Sequence, residues 1–320
     1  MNRRALLGMP ALAFLHARPV AAQAFPNRPL RMVVGYAPGG AADLMARGVA
    51  QAMQSRLGVP VAVENRSGGT GAIGAQAVAS APADGHTLLL ASGTEITVQP
   101  LLHSRLPYNA ARDFTPISLL GITPIVLAVH AALPAADLPA LVALARQQRL
   151  SYASSGSGTI NHLTGELFAT RAGISLLHVP YRGSGQAVTD AASGQVNMIF
   201  AGLPPVLPLV RSGQLRVLAI STARRSAAAP EVPTLAELGL PGFDMSNWFG
   251  LMAPAGTPAA ALSVLGEAAR AAAAEPEVKA LFQRLGGEAL STTATDYAAF
   301  IASERARLGE AVRAAGLEMN

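Results

Sequence analysis

The sequence predicts an α/β protein of two lobes, each a mostly parallel sheet flanked by helices. Three observations carry this. The chain has 320 residues, which suits two domains better than one. Short apolar runs alternate with helical patterns along most of its length. Two strand-to-helix loops, at 36–43 and 154–160, are built of small residues and sit in units of similar texture.

The first unit begins with a strand over Pro29 to Gly35, broken by Tyr36-Ala37-Pro38-Gly39-Gly40. A helix is expected from Ala41 to Leu57, with Leu44, Val49, Met53 and Leu57 near one face. Val61 to Glu64 reads as a strand, followed by a Gly-rich loop, a helix through Ala79 and a strand over His86 to Ser92. The second unit opens with a strand from Ile122 to His130 and a helix from Leu138 to Gln148. A strand ends at Ser154, and the loop Ser155-Gly156-Ser157-Gly158-Thr159 leads into a helix to Thr170. Strands follow at Leu176 to Val179, Val196 to Phe200 and Arg216 to Ser221, with a helix around Ala187 to Ala192. Trp248 to Ala253 is strand-like; Thr257 then caps a long Ala-rich helix that Pro258 starts. The rest is helical apart from breaks near Gly286-Gly287 and 291–294, so the chain is expected to leave the first lobe, build the second and return.

Residues 1–24 read as an address. Arg3 and Arg4 precede an apolar stretch from Ala5 to Leu15, and Ala22-Gln23-Ala24 gives an A-x-A cleavage site. Asn2-Arg3-Arg4-Ala5-Leu6-Leu7 also has the look of a twin-arginine export signal. The expectation is a periplasmic mature protein beginning at Phe25. Of the net charge of +5, three charges lie in this segment, leaving 21 basic residues against 19 acidic. No basic stripe interleaved with aromatics remains, which excludes nucleic acid as a partner. The absence of cysteine excludes disulfides, thiolate catalysis and thiolate-bound metals.

The two small-residue loops are the candidates for chemistry. In open parallel sheets, ligands bind beyond the carboxyl ends of the strands. Small residues expose backbone N–H groups there, and the next helix adds its positive end, so an anion can be held without a buried Arg or Lys. The bland alternative is two tight turns whose glycines supply positive φ. Gly69-Thr70-Gly71-Ala72-Ile73-Gly74 matches the dinucleotide fingerprint, with Glu95 downstream, but it follows the second strand of its unit. His162 and Glu166 are spaced to share a helix face, without a third metal ligand. Arg182 either clamps a carboxylate bidentately or forms a surface ion pair. Trp248 either lines the cleft or fills the core. No nucleophile elbow is present.

Several stretches together resemble the Bug family, the solute receptors of tripartite tricarboxylate transporters. They include PNRPLRMVVGYAPGGAADLMAR, VAVENRSGGTGAIGA, PADGHTLLLASGT, YASSGSGTINHLTGELF, HVPYRGSGQAVTDAASGQVNMIF and VPTLAELGLPGFDMSNWFGLMAPAGTP. The resemblance spans the chain beyond residue 24. It implies a type II periplasmic-binding-protein clamshell that closes on a small organic carboxylate, with no catalytic activity and no cofactor or metal. It implies ligand contacts at Tyr36, Pro38, Gly39, Gly40 and Asp43 in the first loop, and at Ser92, Gly93 and Thr94 after the third strand. In the second lobe it implies Ser154, Ser157, Gly158, Thr159 and His162, with Tyr181 and Arg182 close by. Ala201-Gly202 and Ile160-Asn161 depart from the family pattern. The expected lobes are 25–123 plus 250–320, and 124–249. The expected partners are the membrane subunits of the transporter, met transiently by a monomer. The competing readings are an exported α/β enzyme or NAD-binding protein, and a sensor presenting its ligand to a membrane kinase.

Overall fold

In the computed structural model of the chain, residues 25–317 are described; the export segment expected over 1–24 lies outside them. Strand β1 (Leu30–Val34) is apolar at four of its five positions, as a strand covered on both faces must be. It pairs in parallel with β2 (Val61–Asn65) and β3 (Thr87–Ser92). Helices α1 (Ala41–Leu57) and α2 (Ala72–Ala79) make the crossovers. Met32 and Val34 meet α1 on one face and Val33 meets α2 on the other.

The pattern recurs after α3 (Gln99–Leu102) and the long strand β4 (Phe114–His130). Helix α4 (Leu138–Gln147) precedes β5 (Leu150–Ser154), and α5 (Ile160–Ala172) leads to β6 (Leu176–Pro180). Helix α6 (Ser184–Ala192) then leads to β7 (Met198–Gly202). Strand β5 pairs in parallel with β6 and β7. Helix α7 (Leu203–Arg211) and β8 (Leu215–Ile220) close this half.

Two strands run antiparallel to these triplets and join them: β4 and β9 (Ser246–Pro254). The sheet order is β2-β1-β3-β9-β4-β7-β5-β6. From Phe114 to Pro124, β4 pairs with β9; from Ile125 onward it pairs with β7 and β8. Side chains alternate along it with the period of two a strand imposes. Ile125, Leu127 and Val129 enter one apolar cluster while Val126 and Ala128 enter the other. Helices α8 (Ala259–Ala274) and α9 (Pro276–Arg284) pack on the first triplet. Helix α10 (Ala294–Ala314) spans both halves: Tyr297 packs beside Trp248, whereas Leu308, Ala311 and Val312 join the second half's core.

Five local expectations need correction. Leu44 is 39% exposed, and Met45 takes the inward place on α1. Strand β4 begins at Phe114 and not at Ile122. Pro116 and Gly121 lie at register shifts, where a missing N–H is tolerated. Thr257 does not cap α8; its hydroxyl donates to the Pro254 carbonyl at 2.8 Å. The last part of the chain also contains a short strand, β10 (Glu288–Ala289), paired with β4. Helix α7 was not expected, because Pro204, Pro205 and Pro208 hide its pattern.

Glycines of the 69–74 motif serve the packing of α2. A Cβ on Gly74 would lie 2.7 Å from the Gly35 Cα and 3.3 Å from the Arg66 carbonyl, both fixed backbone. Gly74→Val is therefore expected to cost about 3 kcal/mol in urea unfolding, since α2 must lift off β1. An unchanged midpoint would show that the helix moves freely.

Candidate ligand site at the meeting of the two strand–loop–helix units

The carboxyl ends of β1, β3, β5 and β6 feed the loops expected to hold ligand. After β1, Pro38, Gly39 and Gly40 are exposed and Tyr36 is half-buried. Gly39 has φ +82°, and no atom lies within 4 Å of a Cβ built there. This loop is strapped by Asp43, which is only 2% exposed in the first turn of α1. Asp43 accepts the Gly39 N–H at 2.9 Å and the Asn65 amide at 2.9 Å, and pairs with Arg47 at 3.0 Å. Asn65 in turn donates to the Tyr36 carbonyl at 3.0 Å. Burial acts to raise the Asp43 carboxyl, but the bonds from Arg47, Gly39 and Asn65 hold it below the usual range. Asp43 thus shapes the loop, and the Gly39 N–H is spent on it.

Ser92, Gly93 and Thr94 end β3 and enter a π-helical turn over Thr94–Val98. All three are buried. A Cβ on Gly93 would meet the Trp248 indole nitrogen at 2.8 Å, so the backbone lies directly on that ring. Beneath Ser92 sits Glu95, fully buried. Its Oε1 accepts the Ser92 N–H at 2.6 Å, and its Oε2 lies 2.8 Å from the Tyr36 hydroxyl and 2.5 Å from Ser92 Oγ. A Cβ on Gly71, where φ is +96°, would meet Glu95 Oε2 at 3.0 Å. Gly71 and Gly74 are accounted for by this carboxyl and by β1 packing, which leaves the dinucleotide reading without its glycines.

In the second half, Thr159 caps α5 by accepting the His162 N–H at 3.2 Å, and its hydroxyl donates to the Gly156 carbonyl at 2.7 Å. His162 Nδ1 accepts the Gly158 N–H at 3.2 Å. The His162 ring stacks on His178 at 4.0 Å, and His178 stacks on Tyr152 at 4.9 Å. Ser154 is fully buried, with Oγ 2.7 Å from His178 Nε2. This pair is not a nucleophilic dyad: Ser154 is shut away from solvent, and among the described residues no carboxylate bonds His178. Ser157 is exposed, while Ser154, Gly158 and Thr159 are buried and hold the loop.

The two halves meet at these loops. The first free N–H of α5, on Ile160, donates to Thr94 Oγ1 at 3.3 Å. Gln99 Nε2 donates to the Gly158 carbonyl at 2.9 Å and to Thr70 Oγ1 at 3.2 Å. Thr70 has φ +54°, the one non-glycine with positive φ among the described residues. Strain of this kind persists where surroundings enforce it, often at binding sites. Asn247 of β9 reaches Asn161 at 3.3 Å. Thr70, Glu95, Gln99, His178 and Asn247 were not anticipated as site residues. Thr70 and Glu95, a lone acid within ASGTEITV, are the two the sequence flagged, though in another role.

The remaining expected residues separate. Tyr181 donates its hydroxyl to Asp190 at 2.7 Å, and its carbonyl backs Gly156, where a Cβ would lie 2.9 Å away. Arg182 is exposed and forms no ion pair with a described residue. Trp248 is fully buried between Tyr297 and Phe300, so it belongs to the core beneath Gly93. His162 and Glu166 stand 3.8 Å apart, and no three candidate metal ligands cluster among the described residues.

The histidine stack gives an acid response. Burial, with His162 beside it, pushes His178 down to about 3; burial also lowers His162, against the pull of Glu166. In the unfolded chain both titrate near the ordinary value of about 6.5. The folded form therefore binds fewer protons below that point. This stability is fully present above about pH 6.5 and is lost as pH falls towards the folded values. The melting temperature is expected to drop from pH 7 to 5, less so in His178→Gln; an identical drop in the variant would remove the stack as its source.

Two parallel triplets, each offering its strand ends and a small-residue loop to the other, define a two-lobed solute receptor. The chain belongs to the family described as Tripartite tricarboxylate transporter family receptor, which it matches over residues 45–317. That family comprises periplasmic solute receptors, not enzymes. Protein BugT of Bordetella pertussis is 40% identical over 306 residues, covering 95% of this chain and 94% of BugT. Among solved structures, Rpa4515 of R. palustris with adipate is 32% identical at a TM-score of 0.88, covering 92% of this chain and all of that one. MatC of Rhodopseudomonas palustris with bound malate is 30% identical at a TM-score of 0.83, covering 90% and 100%.

Proposed function

We propose that this receptor captures a small organic carboxylate between the loops after β1 and β3 and the loop after β5, and delivers it to membrane transporter subunits. The observation that carries this is the convergence of these strand ends from both halves, with Ile160 and Gly158 of one against Thr94 and Gln99 of the other. Its neighbours Rpa4515 and MatC hold adipate and malate, which supports a carboxylate.

In this reading the lobes are 25–123 plus 250–320, and 124–249, with the correction that Val98, Leu102 and the end of α10 from Leu308 to Val312 go with the second lobe, in whose core they pack; the lobes turn about β4 and β9 where Ile122 pairs with Trp248. The ligand is met by Tyr36, Pro38, Gly39 and Gly40, by Ser92 to Thr94, and by Ser157 with the first turn of α5. Asp43, Ser154, Gly158, Thr159 and His162 hold those loops in shape. Tyr181 and the exposed Arg182 stand at the rim. The receptor acts as a monomer, does not bind nucleic acid, and reaches the periplasm through residues 1–24.

Calorimetry with adipate and malate, together with mass spectrometry of the purified protein, tests the reading. Binding of either acid, weakened at least tenfold in Gly39→Val, is expected. Valine disfavours the positive φ at residue 39 and crowds the approach to backbone. Unchanged affinity in that variant would remove the first loop from the site, and turnover of the bound acid would overturn the receptor reading.

A further inference from the structure

Three oxygens beneath the first loop form a closed triangle. Ser92 Oγ lies 2.5 Å from Glu95 Oε2, the Tyr36 hydroxyl lies 2.8 Å from the same Oε2, and the two hydroxyls lie 2.9 Å from each other. Each edge is a hydrogen-bond distance, and a closed ring of three bonds takes three hydrogens. Two hydroxyls supply two. With an ionised Glu95, one edge would set lone pair against lone pair. The Thr94 N–H that points at Ser92 Oγ from 3.3 Å lies outside the triangle and cannot fill that edge. The missing hydrogen has one remaining source, the carboxyl itself.

We propose that Glu95 carries a proton at neutral pH, and that this neutral carboxyl is what allows an anionic ligand to settle against the first-half loops. The ligand class rests on the carboxylate reading above; the proton does not. The surroundings agree. Glu95 is fully buried and forms no ion pair with a described residue. The ionisable groups that face it are Tyr36 from the first loop, Tyr108 whose hydroxyl donates to the Glu95 carbonyl at 2.6 Å, and Tyr297 from α10. None is a cation. Burial pushes the carboxyl up, against the bonds from Ser92 and Tyr36. A buried, unpaired carboxylate is expensive, and such a group neutralises instead.

The consequence for binding is electrostatic. An ionised Glu95 would repel a second negative charge brought above these hydroxyls. A protonated Glu95 removes the repulsion. Binding of a carboxylate then favours the protonated form, so affinity must fall as pH rises through the Glu95 transition.

The test uses the full mature protein with glutamate labelled at the side-chain carboxyl carbon. Carbon NMR is followed from about pH 5 to 9, where ordinary glutamates, with values of about 4.3, are ionised. One resonance is expected to keep the protonated position at neutral pH and to vanish in Glu95→Gln. If that variant does not fold, Tyr36→Phe identifies the same resonance by shifting it. Adipate calorimetry over the same range is expected to show affinity falling by up to tenfold per pH unit above the transition, and no such fall in Glu95→Gln. A Glu95 resonance at the carboxylate position at pH 7 overturns the proposal. So does an adipate affinity that ignores the transition. If adipate does not bind at all, the ligand reading fails for adipate, and the resonance alone decides the proton.

Discussion

Trp248→Ala is expected to destabilise the protein by about 4 kcal/mol in urea unfolding, the largest effect of any single truncation here. The ring is fully buried on β9, edge-on to Tyr297 at 5.9 Å and to Phe300 at 5.6 Å. Its Nε1 has no hydrogen-bond partner among the described residues, so its value is in packing and not in a hydrogen bond. Two losses add: the transfer of a large aromatic surface, and a cavity that neighbouring strands cannot close. The cavity would open under Gly93, which rests on the indole. Carboxylate affinity is therefore expected to fall as well, through sagging of Ser92 to Thr94. Trp248→Phe keeps a ring in place and should recover most of the stability. A loss below about 1 kcal/mol for the alanine variant would mean that the site collapses freely.

Asp43→Ala is expected to cost about 2 kcal/mol and to weaken carboxylate binding tenfold or more. One carboxylate holds the Gly39 N–H, the Asn65 amide and the Arg47 guanidinium. Removing it leaves donors unsatisfied, and unmade bonds cost more than made ones return. Arg47 is half exposed and regains water, which keeps the figure below that of a fully buried pair. Asp43→Asn retains one acceptor and should fall between. The carboxyl is held below its ordinary value of about 3.9, so its contribution is present above that pH and lost as pH falls through the folded value. Equal affinity in the wild type and Asp43→Ala would show that the strap is dispensable.

The alternation of strands and helices was legible because both triplets are parallel and covered on both faces. Short, mostly apolar runs such as LRMVV and TLLLAS then mark the strands. The bounds of α1 follow from Gly40 before it and the left-handed Gly58 after it. Strand β4 was only half legible, because Pro116 and Gly121 look like stops and are instead absorbed at register shifts. At the site, the loops were legible from their glycines and serines. Their division of labour was not. Nothing in the spacing of Asp43, His162 or Ser154 tells that each turns inward to hold a loop. Gln99 and Thr94 bond the loop after β5 and the start of α5 from a distant stretch of chain, and such contacts leave no periodic signal.

Helix α10 and the 98–102 segment have a consequence for exchanging parts between relatives. Val98 and Leu102 come early in the chain, and Leu308, Ala311 and Val312 come late, yet all five lie in the core beside Tyr152, Leu163 and Phe168. Arg307 also donates to the Asp244 carbonyl. A chimera that grafts residues 124–249 from another receptor would keep these two patches from the old protein and set them against new side chains. Grafts that carry 98–102 and 304–317 along with the inserted half should express and bind better than grafts that do not. The second half is thus expected to transplant intact only with its two remote sealing segments.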